Sequence, residues 1–458
     1  MKESILIYLL FLPLLINTIK TLEPLPIKLR CGANEIQKPP ADAKIAFLPN
    51  KNNSNYIQLL NTNLNAEEFK DFNIYLDLYN FNAEVDKYNL NSKKQFFIDS
   101  FNKALKTIKS LLKVKPLSKN FQISDNILIS NGINKWDKEK VGDEISKKGQ
   151  GMKTLGIDLY LFVRFGTSKD MSNTTIASAL AISQDPSSYQ PLAGKITINR
   201  DWNFDKTNSL QYLSSILLHE ITHVLGFSSY YFDKLKMQSS KTDKSGIKRF
   251  YINSKKVLNI AKKYYNCDSV QGVELEEFGG NGTAGSHWEE RILLGEYMTG
   301  VIYNEDQAIS EFTLALLEDL GFYKANYYTG GLMRYGKNKG CDFLNSKCVN
   351  NGKINQKFTN EFFNIKNNGF PACSSGRQSR AYQNILIYDS IPKEYIYFEN
   401  QKYGGRSGAD YCPVFEENPS ESMTKYYVGH CSEIGSKDYG SYLSNKNKNY
   451  AKKKIMNL

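Results

Sequence analysis

The sequence predicts an α+β fold in which helices pack against a mixed, twisted sheet. Three observations predict it. Residues 93–114 place Phe97, Phe101, Leu105, Ile108 and Leu112 on one face at helical spacing. Four short runs of β type follow, at 122–129, 157–165, 176–182 and 195–199. A second helical pattern then runs from Ser209 through Leu210, Leu213, Leu217, Ile221 and Leu225. Helix, strands and helix in that order suit a layer of helices on one sheet. At 458 residues, 41% hydrophobic and 13% aromatic, the chain can bury a sizeable core and is expected to form two or three domains.

The N-terminus reads as an export signal. Lys2 precedes an apolar run from Ile5 to Ile16, followed by small and polar residues through Thr21. About a dozen apolar residues are too few to span a bilayer, which takes roughly 20, but they suit a signal peptide over 1–21. No later stretch predicts a membrane helix, and the Lys- and Asn-rich end lacks the apolar tail of a lipid-anchor signal. The expectation is a secreted or lumenal protein, with cell-surface association left open. Sequons at Asn52, Asn173 and Asn281 are compatible with export.

Residues 22–41 are Pro-rich and irregular, as a short pro-segment would be. Of the seven cysteines, Cys31 stands apart, while Cys267, Cys341, Cys348, Cys373, Cys412 and Cys431 are enough for three bridges. Five of the seven fall from Cys341 onward, which predicts a disulfide-stapled C-terminal module in an oxidising compartment. In the preceding region, Asp185-Pro186 and Ala193-Gly194 read as breaks around the last two β runs. From Gly226 to about residue 277 the chain is Lys- and Tyr-rich without a clear period, and inserted helices and loops are expected there. Residues 308–320 predict a helix stopped by Gly321.

Net charge is +12, but Lys and Arg are scattered among Asn and acidic residues, so an ordinary solvated surface is expected. No basic helix or zinc knuckle points to nucleic acid.

The chemistry concentrates in Leu217–Phe227. Residues four apart share a helix face, so His219 and His223 can aim at one ion, while Glu220 can reach a water beside it. Gly226 supplies the left-handed residue that ends the helix. A zinc site that does chemistry needs a third protein ligand and an open position. Only His287 and His430 remain. The Gly-rich approach at 278–286 favours His287, whereas His430, beside Cys431, reads as structural. Asp243, about twenty residues after His223, is the rival third ligand, but it lies in a Lys- and Ser-rich loop.

At this point the chain resembles the leishmanolysin family of metzincin zinc metalloproteases. His219, Glu220, His223 and Gly226 match its first motif, and Ser286-His287-Trp288-Glu289 stands where the family's late third ligand should be. Glu296-Tyr297-Met298 looks like its Met-turn, and the segments 317–323, 336–341 and 409–413 look like its later landmarks. The likeness covers most of the chain from about residue 42 and is strongest over 196–348. It implies one Zn²⁺ held by His219, His223 and His287, with Glu220 as general base and Met298 as the turn methionine. It also implies a metzincin-like catalytic region over 42–226, then a mostly helical lower part over 227–330 with the third ligand. A Cys-rich domain follows over 331–458. Protein or peptide substrates are implied, with the strand containing Ala177–Ile182 pairing with extended substrate backbone. In such proenzymes a pro-segment cysteine can block the metal; Arg30-Cys31-Gly32 is a shortened version of that switch. The other reading of Cys31 is a structural disulfide, to Cys267. The alternatives for the whole protein are a catalytically silent adhesion or binding protein on the same fold, and a zinc amidase acting on non-peptide substrates.

Overall fold

The structure is a computed structural model describing residues 69–416, apart from 134–150, 172–174, 203, 205–209, 243–245, 279–282, 301–306, 328–332, 351, 364–371, 378–379 and 384. The expectations for residues 1–68, Cys31 included, for the three sequons, for Asp243 and for His430 and Cys431 lie outside the described residues.

The largest sheet is assembled from strands far apart in sequence. Strand β2 (Ile74–Asp77) opens it; the preceding β1 (Lys70–Asp71) pairs instead with β3 (Leu112–Val114), which follows helices α1 (Tyr79–Lys87) and α2 (Lys94–Leu111). Helix α2 buries Phe97, Phe101, Ala104, Leu105 and Ile108, the stripe its spacing predicts. The run at 122–129 departs from expectation: it contains helix α3 (Asp125–Ser130), not a strand. Ser124 caps it, its hydroxyl accepting from the Ile127 N–H at 3.4 Å. That Ser-Asp start signal outweighs the β-branched residues after it.

Strands β4 (Leu159–Gly166), β5 (Ala177–Gln184) and β6 (Pro191–Asn199) complete a four-stranded sheet of order β2-β4-β6-β5. The first three are parallel, with Ile74 opposite Leu159 and Val163 opposite Ile196. The outer strand β5 is antiparallel, with Ala179 opposite Ile196 and irregular register beyond Ala181. Ala193-Gly194 is therefore not a break but lies inside β6. A Cβ on Gly194 would meet Val224 Cγ1 at 2.3 Å, so this glycine admits helix α4 (Leu210–Val224) onto the sheet. On its other side α4 packs along α2, and Leu213, Leu217, Ile221 and Val224 join the same core as Phe97 and Phe101.

After α4 come helix α5 (Ser229–Lys234), a hairpin of β7 (Gln238–Thr242) and β8 (Lys248–Ile252), helix α6 (Lys255–Tyr265) and β9 (Val273–Glu274). The expected helices are present, but β7, β8 and β9 also form a three-stranded sheet, so this part is not mostly helical. Strand β7 is polar and largely solvent-facing, so backbone pairing sustains it without the alternation that would mark it in sequence. Helix α7 (Glu290–Leu293) and helix α8 (Glu311–Asp319, capped by Ser310) follow, and Gly321, at φ +93°, ends the second of these. Strand β10 (Tyr323–Ala325) returns to pair with β3.

From residue 333 the described chain is short strands, 3₁₀ turns and one short helix, α9 (Cys341–Asn345). Disulfides join Cys267 to Cys341 and Cys348 to Cys412. Cys267 is thus unavailable to Cys31, which removes the partner suggested for a Cys31 disulfide. Among the described residues no helix is long and apolar enough to cross a membrane.

Candidate metal centre

Helix α4 ends where the chain changes direction. Gly226 adopts φ +116°, which L side chains rarely reach, and the turn folds the next carbonyl back under the helix. The Phe227 carbonyl oxygen lies 2.7 Å from Nδ1 of His223. One turn earlier, Nδ1 of His219 lies 2.6 Å from the Tyr297 carbonyl oxygen. His287 arrives from the far side, its Nδ1 2.9 Å from the Thr283 carbonyl oxygen.

Each carbonyl can only accept, so each imidazole donates from Nδ1 and presents an unprotonated Nε2. The three Nε2 atoms converge: His219 to His223 is 3.0 Å, and His287 is 3.1 Å from both. Three acceptor nitrogens at that spacing have no proton to share. Nitrogens about 2.0–2.1 Å from a tetrahedral ion stand roughly 3.3 Å apart, so the donor triangle is the size a divalent ion requires.

Burial keeps the rings neutral. Desolvation, with the neighbouring rings adding to it, holds His219 well below its ordinary pKa; desolvation likewise takes His223 down to about 4 and His287 to about 3. Glu220, on the same helix as the first two, is also buried, and loss of solvent pushes its carboxyl up to about 8. The structure therefore brings together His219, His223 and His287, with Glu220 buried on the same helix as the first two and Gly226 in the helix-ending role.

Met298 is fully buried within the turn 296–298. Its carbonyl accepts from the N–H of Trp288 at 3.0 Å, so the turn is fastened to the residue after His287 while Tyr297 holds His219. Glu296 organises this turn. One carboxylate oxygen accepts from the Met298 N–H, and the other accepts from the hydroxyls of Ser310 (2.8 Å) and Thr313 (2.6 Å). Desolvation raises its carboxyl to about 7, partly opposed by these donors. Thr313 in turn accepts from the Trp288 indole N–H at 2.8 Å. Sequence reasoning missed Glu296, Thr283 and the Phe227 carbonyl, because nothing in composition marks a side chain or carbonyl that acts only by orienting another.

Comparison with known proteins points to one family. The family model for leishmanolysin, peptidase family M8, matches residues 90–436. A leishmanolysin-like peptidase of Drosophila melanogaster is 28% identical over 348 residues, 63% of this chain and 50% of that protein. A leishmanolysin homolog of Crithidia fasciculata is 33% identical over 243 residues, covering 52% and 36%. Leishmanolysin of Leishmania major is 29% identical over 237 residues, covering 51% and 37%. The chain spans about half the length, or less, of these curated relatives.

Proposed function

The chain belongs to the leishmanolysin family of peptidases, and from that premise we propose that it is a zinc-dependent metalloendopeptidase acting on protein or peptide substrates. One observation carries the reading: three unprotonated Nε2 atoms, 3.0–3.1 Å apart, beside a buried glutamate on the same helix. His219, His223 and His287 would hold one zinc ion, and three neutral ligands leave it the full positive charge. When bound, zinc supplies Lewis acidity that lowers the pKa of a water and polarises a carbonyl.

The remaining roles belong to the chain. Glu220 takes a proton from the attacking water and delivers it to the leaving amine. The carbonyls of Tyr297, Phe227 and Thr283 fix the tautomer and tilt of the three rings. Met298 acts through packing, as part of the turn that holds His219 and Trp288. Strand β5, the antiparallel outer strand of its sheet, offers backbone groups for extended substrate. In the full chain, 1–21 directs export, and 22–41 restrains the site through Cys31 until it is removed. The Cys-rich segment from 331 forms its own C-terminal domain.

Unfolded casein tests the proposal directly. Protein freed of its pro-segment should cleave it, and a zinc chelator or Glu220→Ala should abolish cleavage. If protein of unaltered catalytic sequence, shown to hold zinc and freed of its pro-segment, leaves casein intact, the proposal fails.

A further inference from the structure

Apart from the histidines, the protein buries a second group of ligand-type side chains. Glu277, Glu289 and Asp410 each bring a carboxylate oxygen within 4.8 Å of the others. Glu289 is 0% exposed and Asp410 3%, and Glu274 and Glu276 are buried beside them. Two guanidiniums face these acids. Arg249 Nη1 lies 2.6 Å from Glu274 Oε1, 2.9 Å from Glu277 Oε2 and 3.6 Å from Asp410 Oδ2. Arg291 lies 3.2 Å from Glu274 Oε2 and 3.2 Å from Asp410 Oδ2. The Tyr395 hydroxyl donates to Glu277 Oε1 and also faces Asp410. Glu290 is separate, paired with Arg406 at 2.6 Å.

Five carboxyl groups meet only two guanidiniums here, and desolvation together with their mutual repulsion works against charging all five unless a further cation joins them. Moreover, two of the carboxylates keep an oxygen with nothing to bond. Glu289 Oε1 accepts from the Arg291 N–H at 2.8 Å, but Glu289 Oε2 is buried without a hydrogen-bond partner, as is Asp410 Oδ1. Acceptor atoms buried like this are costly unless a hydrogen-bond donor or a cation meets them. The two arginines are already engaged with other oxygens.

We propose that Glu277, Glu289 and Asp410 form a second cation site, distinct from the histidine triad, for a hard divalent ion of the calcium type. The donor set consists of oxygens alone, which suits calcium and not a thiolate- or imidazole-seeking metal. Glu277 is the most exposed of the three and gives water a way to complete the coordination. The site joins two distant parts of the chain. Glu289 lies two residues beyond His287, and Asp410 comes from the C-terminal segment, so the ion fastens that segment to the stretch carrying the third histidine.

The test strips the protein on a chelating resin, restores one equivalent of zinc and titrates with calcium chloride. Thermal melting and terbium luminescence, sensitised through Tyr395, are read in parallel. One calcium per chain, a melting temperature raised by several degrees, and terbium displaced by calcium are expected, with magnesium less effective. Three imidazoles are poor calcium ligands, so the response reports on the carboxylates while zinc content stays constant. Glu289→Gln should lose the calcium response, yet melt close to the calcium-free parent, because the amide nearly keeps the side chain's shape and takes one acid out of the cluster. Should Glu289→Gln not fold, Glu277→Gln at the open edge should bind calcium at least tenfold more weakly. A parent protein indifferent to calcium, or variants that respond as the parent does, overturns the proposal.

Discussion

The carbonyl oxygen of Phe227 and Nδ1 of His223 are 2.7 Å apart, and the glycine between them makes the contact geometrically possible. At Gly226 the backbone sits at φ +116°, and a Cβ there would lie 2.8 Å from Leu320 Cδ1. Gly226→Ala should therefore cost about 2–4 kcal/mol, from backbone strain and displacement of a core leucine. It should also weaken metal binding by moving the carbonyl that orients His223. Gly246, at φ +86° with nothing within 4 Å of its Cβ position, is the control. Its alanine variant carries the backbone term alone, about 1–2 kcal/mol. Urea unfolding of both decides whether the packing at Leu320 matters.

Removing metal should destabilise the protein, because the three Nε2 atoms would then face one another unpaired. At zinc concentrations 1,000-fold above Kd, binding contributes about 4 kcal/mol. His287→Ala should lose most of that stabilisation, so its melting temperature should no longer respond to zinc. A His287→Ala protein that still holds one zinc tightly would show that this residue is not the third ligand.

Glu220→Gln separates binding from proton transfer. The amide nearly matches the carboxyl in shape and removes a group whose burial already disfavours its charged form. Zinc content and stability should be retained, while casein cleavage falls by about 10²–10⁴-fold. Loss of both zinc and cleavage would instead give Glu220 a role in assembling the site.

The legible parts of this protein are those where burial imposes a period or chemistry imposes a spacing. The α2 stripe from Phe97 to Ile108 is visible because one helix face must leave water. His219 and His223 are visible because two imidazoles that are to share one ion must stand four residues apart on a helix such as α4. Helix α6 was hidden among lysines, although Val257, Ile260, Ala261 and Tyr264 carry its buried face and Asn266, at φ +56°, closes it. Gly194 looks like a break in sequence, yet it marks a close helix–sheet approach that only tertiary packing explains. The acids around Arg249 were invisible for a related reason: positions from 274 to 410 meet only after folding.

The Cys267–Cys341 bridge closes a loop of 74 residues in separation, joining the end of α6 to the start of α9. Loop-closure entropy for that span predicts a stabilisation of about 4 kcal/mol. Replacing both cysteines with alanine should lower the urea midpoint accordingly without changing zinc content. A much smaller loss would mean that the unfolded chain is already compact across this span.

Glu296 gives stability a specific pH dependence. Burial raises its carboxyl from an ordinary 4.5 to about 7 in the folded protein. Between those values the folded chain holds a proton that the unfolded chain releases, so this residue's contribution falls as pH rises from about 4.5 to 7. The shift corresponds to about 3 kcal/mol at most. Glu296→Gln cannot titrate, and it places an amide among donors from Met298, Ser310 and Thr313, so it should be less stable than the parent throughout. The gap between the two proteins should be widest near pH 5 and narrower by pH 8. Urea unfolding of both at these two pH values measures it, and other titrating groups common to both cancel. A gap independent of pH would show that the carboxyl stays ionised, held by its four donors against the cost of burial.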